Sequence, residues 1–216
     1  MYIDKTYPFE PVVLGYDFSS LDSCLGFESL SVHYNCVYVA TINKLNALLS
    51  KYPDLQVLSL DELIFNSHSI NIKEKDELTR LINSVYNHHV FFSSVSPYIY
   101  QLNNSPIKSA IEKSFLSVEN FYKQFLSSAL SLYGSGYIYL VCNEYGSVSL
   151  FVTKNHETPI PYNLYPLIAL DMWEHSYFLK FKANKEKYVN NFLSILNWPH
   201  INSNYIECEK CINLSK

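Results

Sequence analysis

From Glu28 to Tyr52 the apolar positions recur at intervals of three and four: Leu30, Tyr34, Val37, Tyr38, Ile42, Leu45, Leu48 and Leu49. That spacing predicts an amphipathic helix, stopped by Pro53. A short helix is expected from Ser59, where Glu62 completes a capping box. A third, over about 74–93, sets Leu78, Leu81, Val85, His88 and Phe92 on one stripe, and Pro97 closes this helical half. Residues 1–27 show no periodicity and carry Pro8, Pro11, Gly15 and Gly26, so they read as an extended arm.

The second half changes character. Ser105-Pro106 is a helix start with proline at the first helical position, and that helix runs to about Phe115. Another spans Val118 to Leu132, capped by Ser117 and ended by Gly134. Residues 137–142 and 148–153 are β-rich and flank Asn143-Glu144-Tyr145-Gly146-Ser147, the pattern of a hairpin. Residues 165–171 form a third expected strand and 184–196 a last helix, while the tail from Ile201 shows no strong pattern. The implied class is α+β: a helical hairpin domain with its arm over 1–97, an α/β domain with a small three-stranded antiparallel sheet over 98–200, and a tail over 201–216.

Composition narrows the function classes. With 48% hydrophobic and 17% charged residues over 216 positions, the chain can bury a sizeable core. A net charge of −4 without a Lys/Arg cluster gives no electrostatic footprint for nucleic acid. No apolar stretch approaches the roughly 20 residues needed to span a bilayer. Met1-Tyr2-Ile3-Asp4-Lys5 has neither a signal-peptide core nor an Arg-rich presequence, so the expected compartment is cytoplasmic, or mitochondrial without a recognisable cleavable leader. The five cysteines are scattered and odd in number, unlike a disulfide framework. Cys208 and Cys211 form a lone CxxC, read either as a reduced pair or as a zinc half-site completed by His200 or a partner chain.

The candidate chemistry lies in Asp171-Met172-Trp173-Glu174-His175, directly after the apolar run Leu167-Ile168-Ala169-Leu170. A strand ending there holds Asp171 rigidly, and one turn of chain returns His175 to the same point. His33 shares a helix direction with Val37 and Thr41, and His88 lies on an inward stripe. Three imidazoles and one carboxylate suit iron, manganese or zinc, not calcium or magnesium.

Taken in order, the motifs resemble the iron/manganese superoxide dismutases. Glu28 to Tyr34 with Asn43-Lys44-Leu45-Asn46 is similar to that family's first metal helix, and Asn87-His88 followed by Phe91-Phe92 and Ser96-Pro97 to its second. Gly134-Ser135-Gly136, the DMWEH segment and Asn197-Trp198 complete the pattern over about residues 8–199. The resemblance implies His33, His88, Asp171 and His175 as ligands of one iron or manganese ion, with superoxide as substrate. It implies a solvent ligand tuned by a Gln or His. Ser84 is not a Gln, and His156 falls where one branch of the family places that group. His156, Thr41 and Tyr34 are therefore the candidate catalytic residues. Glu174 is expected to reach a ligand histidine of a second subunit, giving a homodimer or a dimer with a related chain.

The departures lie at the mouth of the site. Thr41 stands where the family has its gateway tyrosine, Val37 replaces a histidine one turn earlier, and Phe178 replaces the tyrosine that pairs with that histidine across the dimer. Phe92 and Tyr137 occupy two pocket positions that usually carry Trp. These changes leave two rival readings: a divergent enzyme, or a dismutase-like subunit of a larger assembly, such as a mitochondrial ribosome, that keeps its metal for stability.

Overall fold

The computed structural model describes residues 5–214, with side chains to residue 210. The arm is extended to Asp17, then makes a 3-10 turn at Phe18–Leu21. It is fastened by side chains: Asn46 accepts from the Phe9 amide and donates to the Phe9 carbonyl, both at 2.9 Å. Tyr34 donates to the Val12 carbonyl at 2.6 Å, while the Tyr38 hydroxyl accepts from the Val12 amide at 3.1 Å.

The long helix expected over 28–52 is continuous from Phe27 to Leu49 but not uniform. Helix α1 (Phe27–Ser31) passes into a π-helical stretch, Val32–Val39, and then into α2 (Ala40–Leu49). Wide turns of this kind re-aim side chains and occur often at functional sites; this one carries His33. Helix α3 (Leu60–Phe65) begins with both halves of the Ser59–Glu62 capping box formed. In α4 (Lys75–Ser93) the whole expected stripe is buried, including His88. Helices α5 (Pro106–Phe115) and α6 (Val118–Ser131) start where Ser105 and Ser117 accept amide hydrogen bonds.

The sheet is antiparallel in the order β2-β1-β3, with β1 (Gly136–Cys142) central between β2 (Val148–Lys154) and β3 (Tyr165–Asp171). Every residue of β1 is buried, as a central strand covered on both faces requires. The hairpin turn is held by Asn143, whose side-chain oxygen accepts from the Tyr145 and Ser147 amides. Pro166 is tolerated because β3 is an edge strand and its register shifts beside that residue. Helix α4 packs against both α2 and β3. The end of α4 is stitched to the chain after α8 (Lys185–Ser194) by the Ser96 amide to the Ile195 carbonyl and the Asn197 amide to the Ser94 carbonyl.

Two expectations need correction. The segment after Asp171, read as a single return turn, is a full helix, α7 (Glu174–Phe181). The patternless tail from Ile201 is helix α9 (Trp198–Leu214). Ile201, Asn204, Tyr205 and Cys208 are its buried stripe, a helical spacing disguised by an amide and a small thiol. Cys208 is buried beside Cys142 on β1, and the Cys211 side chain lies outside the described residues. His200 Nε2 accepts from the Asn204 side-chain amide at 3.0 Å. Among the described residues, no helix is long and apolar enough to cross a membrane.

Gly136 marks the tightest point of the sheet. A Cβ there would stand 2.0 Å from the Thr153 carbonyl oxygen of the paired strand. Gly136→Ala must therefore spread β1 from β2. The expected cost is about 1–3 kcal/mol or more, read as a lower urea midpoint at unchanged slope.

Candidate metal centre

Four elements bring one ligand atom each to a single point. His33 comes from the π-helical stretch, His88 from the buried stripe of α4, Asp171 from the last residue of β3, and His175 from the first turn of α7. Their ligand atoms all lie within 4.8 Å of one another. The Nε2 atoms of His33 and His175 are each 3.1 Å from Asp171 Oδ2, and that of His88 is 3.5 Å away. Three imidazole nitrogens thus converge on one carboxylate oxygen.

Asp171 is fixed from several sides. Its Oδ1 accepts from the Trp173 amide at 2.8 Å, and its main-chain carbonyl accepts from the hydroxyls of Ser176 (2.9 Å) and Tyr188 (2.8 Å). His88 is oriented by its other ring nitrogen: Nδ1 lies 2.6 Å from the Ser84 carbonyl, which can only accept. The proton therefore sits on Nδ1, and Nε2 presents a lone pair. That Nε2 is fully buried with no hydrogen-bond partner. A lone pair aimed at a carboxylate in a dry site is unsatisfied until a cation arrives between them. The donor set, three nitrogens and one oxygen, fits iron or manganese.

Aromatic rings seal the cluster. Phe91 and Phe92 pack on His33 at centroid distances of 4.8 and 5.0 Å. Tyr38 stacks on His88 at 5.8 Å and Tyr137 meets it edge-on at 6.3 Å. Trp173 lies between His156 at 4.5 Å and His175 at 5.9 Å, near-parallel to both. Burial pushes the His33 imidazole down and that of His88 to about 3, each despite the favourable charge of Asp171. Burial alone would raise the Asp171 carboxyl. The His175 charge, with hydrogen bonds from His175 and His33, outweighs it and holds the group well below the usual carboxylate range.

Of the catalytic candidates, only His156 is presented to this cluster. Its ring stacks on Trp173, its Nδ1 is buried without a partner, and burial lowers its pKa to about 4. Asn87, beside His88, holds the loop by donating to the carbonyls of His156 (3.3 Å) and Glu157 (3.1 Å). Thr41 and Tyr34 are not available as donors. Thr41 gives its hydroxyl proton to the Val37 carbonyl at 2.7 Å, the usual back-bond of a helical threonine. Tyr34 gives its own to Val12 at 2.6 Å. Sequence reasoning missed the supporting roles of Asn87, Ser176 and Tyr188. Asn87 and Ser176, each adjacent to a ligand candidate, carried a local signal; Tyr188 carried none.

Comparison with known proteins agrees with this geometry. Residues 103–204 match the profile of the iron/manganese superoxide dismutases, C-terminal domain. The chain is 30% identical to superoxide dismutase (Mn) 2 of Bacillus anthracis over 202 residues, covering 92% of this chain and 95% of that protein. It is 28% identical to superoxide dismutase (Mn) 1 of Leptolyngbya boryana, covering 91% and 80% of the two chains. With superoxide dismutase (Mn) of Listeria innocua the identity is 29%, covering 91% and 97%.

The buried imidazoles make an acid-stability prediction for the metal-free protein. His33 and His88 resist protonation in the fold, whereas in the unfolded chain they take up protons near the ordinary value of 6.5. Below that pH the unfolded state binds more protons, so acid favours unfolding. Asp171 acts only further down: its stabilisation is present above the unfolded carboxylate value and is lost as pH falls through its lower folded value. In chelator, the urea midpoint should be level above about pH 7 and fall steadily from about 6.5 towards 3. A level profile between pH 7 and 4 would contradict neutral, buried histidines.

Proposed function

The chain belongs to the iron/manganese superoxide dismutase family, and from that premise we propose that it disproportionates superoxide to dioxygen and hydrogen peroxide at one iron or manganese ion. The observation that carries the reading is the convergence of three imidazole nitrogens on Asp171 Oδ2, with His88 Nε2 buried and unpartnered. His33, His88, Asp171 and His175 would hold the ion. Two come from the helical unit ending near residue 97 and two from the α/β unit after it, so the site ties the proposed domains together. When bound, iron or manganese supplies the one-electron couple that oxidises one superoxide and reduces the next.

The residues of the chain supply the rest. Asp171 offsets part of the cation's charge in a site with almost no solvent. The Ser84 carbonyl fixes the His88 tautomer, a role that typically sharpens both affinity and ring orientation. Peroxide formation consumes two protons. With Thr41 and Tyr34 donating to main-chain carbonyls, His156 is the side chain placed to orient or relay them. Val37 and Phe178 offer no hydrogen-bonding group at all, so proton delivery at the mouth depends on water. Glu174 is exposed in the single chain, beside half-exposed Phe178. His175, next to it, keeps 22% of its side chain exposed. That arrangement supports a two-fold dimer in which each Glu174 reaches the other subunit's His175.

The purified protein should carry close to one iron or manganese per chain and dismutate superoxide, with His88→Ala abolishing both metal content and activity. Metal analysis and activity are to be measured on one sample. A fully folded wild-type protein that takes up neither ion would refute the proposal. His156→Ala should retain the metal, shift its reduction potential, and lower turnover roughly 10- to 100-fold, the usual range for partners outside the ligand set. An unchanged potential and pH profile would remove His156 from the mechanism.

A further inference from the structure

Three buried polar atoms without hydrogen-bond partners surround the Asp171 carboxylate: His88 Nε2, His156 Nδ1 and the Tyr137 hydroxyl. Unsatisfied buried polar groups are few in folded proteins, and each calls for an explanation. A metal ion satisfies His88. It does not satisfy a phenol, which at neutral pH is a donor in search of an acceptor.

Tyr137 is held where such an acceptor would sit. It is the Cα partner of Asp171 across the β1–β3 pair, so the two side chains project side by side from the same face of the sheet. Its ring is wholly buried, edge-on to His88 and stacked on Tyr139 at 6.0 Å. Those contacts leave the ring little freedom to turn away. Burial first, then the nearby Asp171 carboxylate, and to a lesser degree a hydrogen-bond approach to that carboxylate, keep the phenol protonated. That approach falls short of full hydrogen-bonding geometry, so the hydroxyl is left without a well-formed acceptor. The sequence marks the same position: the resemblance leads one to expect an indole there, and the chain has a hydroxyl.

We propose that Tyr137 is a ligand-positioning residue of this centre, its hydroxyl donating to the water or small monoanion lodged between Asp171 and His156. The inference rests on the metal-site reading above and adds a donor from the sheet side. It also explains how the site can hold an anion after Thr41 and Tyr34 have turned their hydroxyls to main-chain carbonyls.

The test is Tyr137→Phe, which removes one oxygen and keeps the ring. Wild type and variant are loaded with the same metal and titrated with azide, followed by absorption, and their reduction potentials are measured. Loss of a hydrogen bond to a charged ligand should weaken azide binding roughly tenfold or more, with a measurable shift in potential. The metal-free variant should lose little or no stability, because the hydroxyl it loses makes no well-formed hydrogen bond in the fold. A merely structural tyrosine would give the opposite pattern: lower metal-free stability with azide affinity and potential unchanged. That result, in protein that has taken up its metal, overturns the role of Tyr137 alone. Failure of the wild-type protein to bind iron or manganese overturns the metal-site reading and this inference with it.

Discussion

An ionised carboxylate with no solvent exposure is among the most expensive groups a protein can bury, with an effective penalty of several kcal/mol after relaxation. Asp171 is such a group, and much of the architecture around it is compensation. The strand end brings the carboxylate to a fixed point, the Trp173 amide accounts for one oxygen, and three imidazoles surround the other. Ser176 and Tyr188 then fix the main chain beneath it. Remove the carboxylate and His33 and His88 become buried bases facing nothing. The packing of α4 on β3 and the seating of α7 at the strand end both serve this one charge.

Much of that arrangement could be read from residue order. The stripe through Leu78, Leu81, Val85 and Phe92 placed His88 inward without any structure, because a helix with a single apolar face leaves no choice about which way its members point. The hairpin between β1 and β2 was equally plain, since Asn143 and Gly146 allow little else. Helices α7 and α9 were not legible. The first begins immediately after a strand, within a motif already read as a metal turn. The stripe of the second uses Asn204 and Cys208, which carry little hydropathy. The π-helical stretch was hidden as well: a widening of one turn leaves the three-and-four spacing almost intact, yet it decides where His33 and Thr41 point.

Side-chain polarity was the harder part. Sequence could name Tyr34 and Thr41 as hydroxyl-bearing neighbours of the site, but a hydroxyl has one proton, and its destination is a three-dimensional fact. Tyr34 donates to the arm at Val12 and Thr41 donates to its own helix at Val37. Conversely, Tyr137 was noted only as a ring standing where a Trp is usual, and its hydroxyl drew no notice as a donor. The ring is wholly buried, and the oxygen at its tip lies near the Asp171 carboxylate without a well-formed hydrogen bond.

The two faces of the site differ in polarity. On the helix side, Val37, Thr41 and Phe178 offer no free donor. On the sheet side, Tyr137 and His156 carry the unpartnered polar atoms. If the centre holds a small anion, as proposed, it needs donors aimed at that anion, since in a low-dielectric pocket each hydrogen bond is worth more than in water. It does not need them on a particular wall. Asn87 and Trp173 stiffen the loop that carries His156, and the strand pairing stiffens Tyr137. Donors mounted on a sheet and a braced loop are better pre-organised than donors at the rim of a half-exposed helix. The polar groups that remain close to Asp171 are thus mounted on the sheet and on a braced loop, while the four clustered side chains stay where the buried carboxylate requires them.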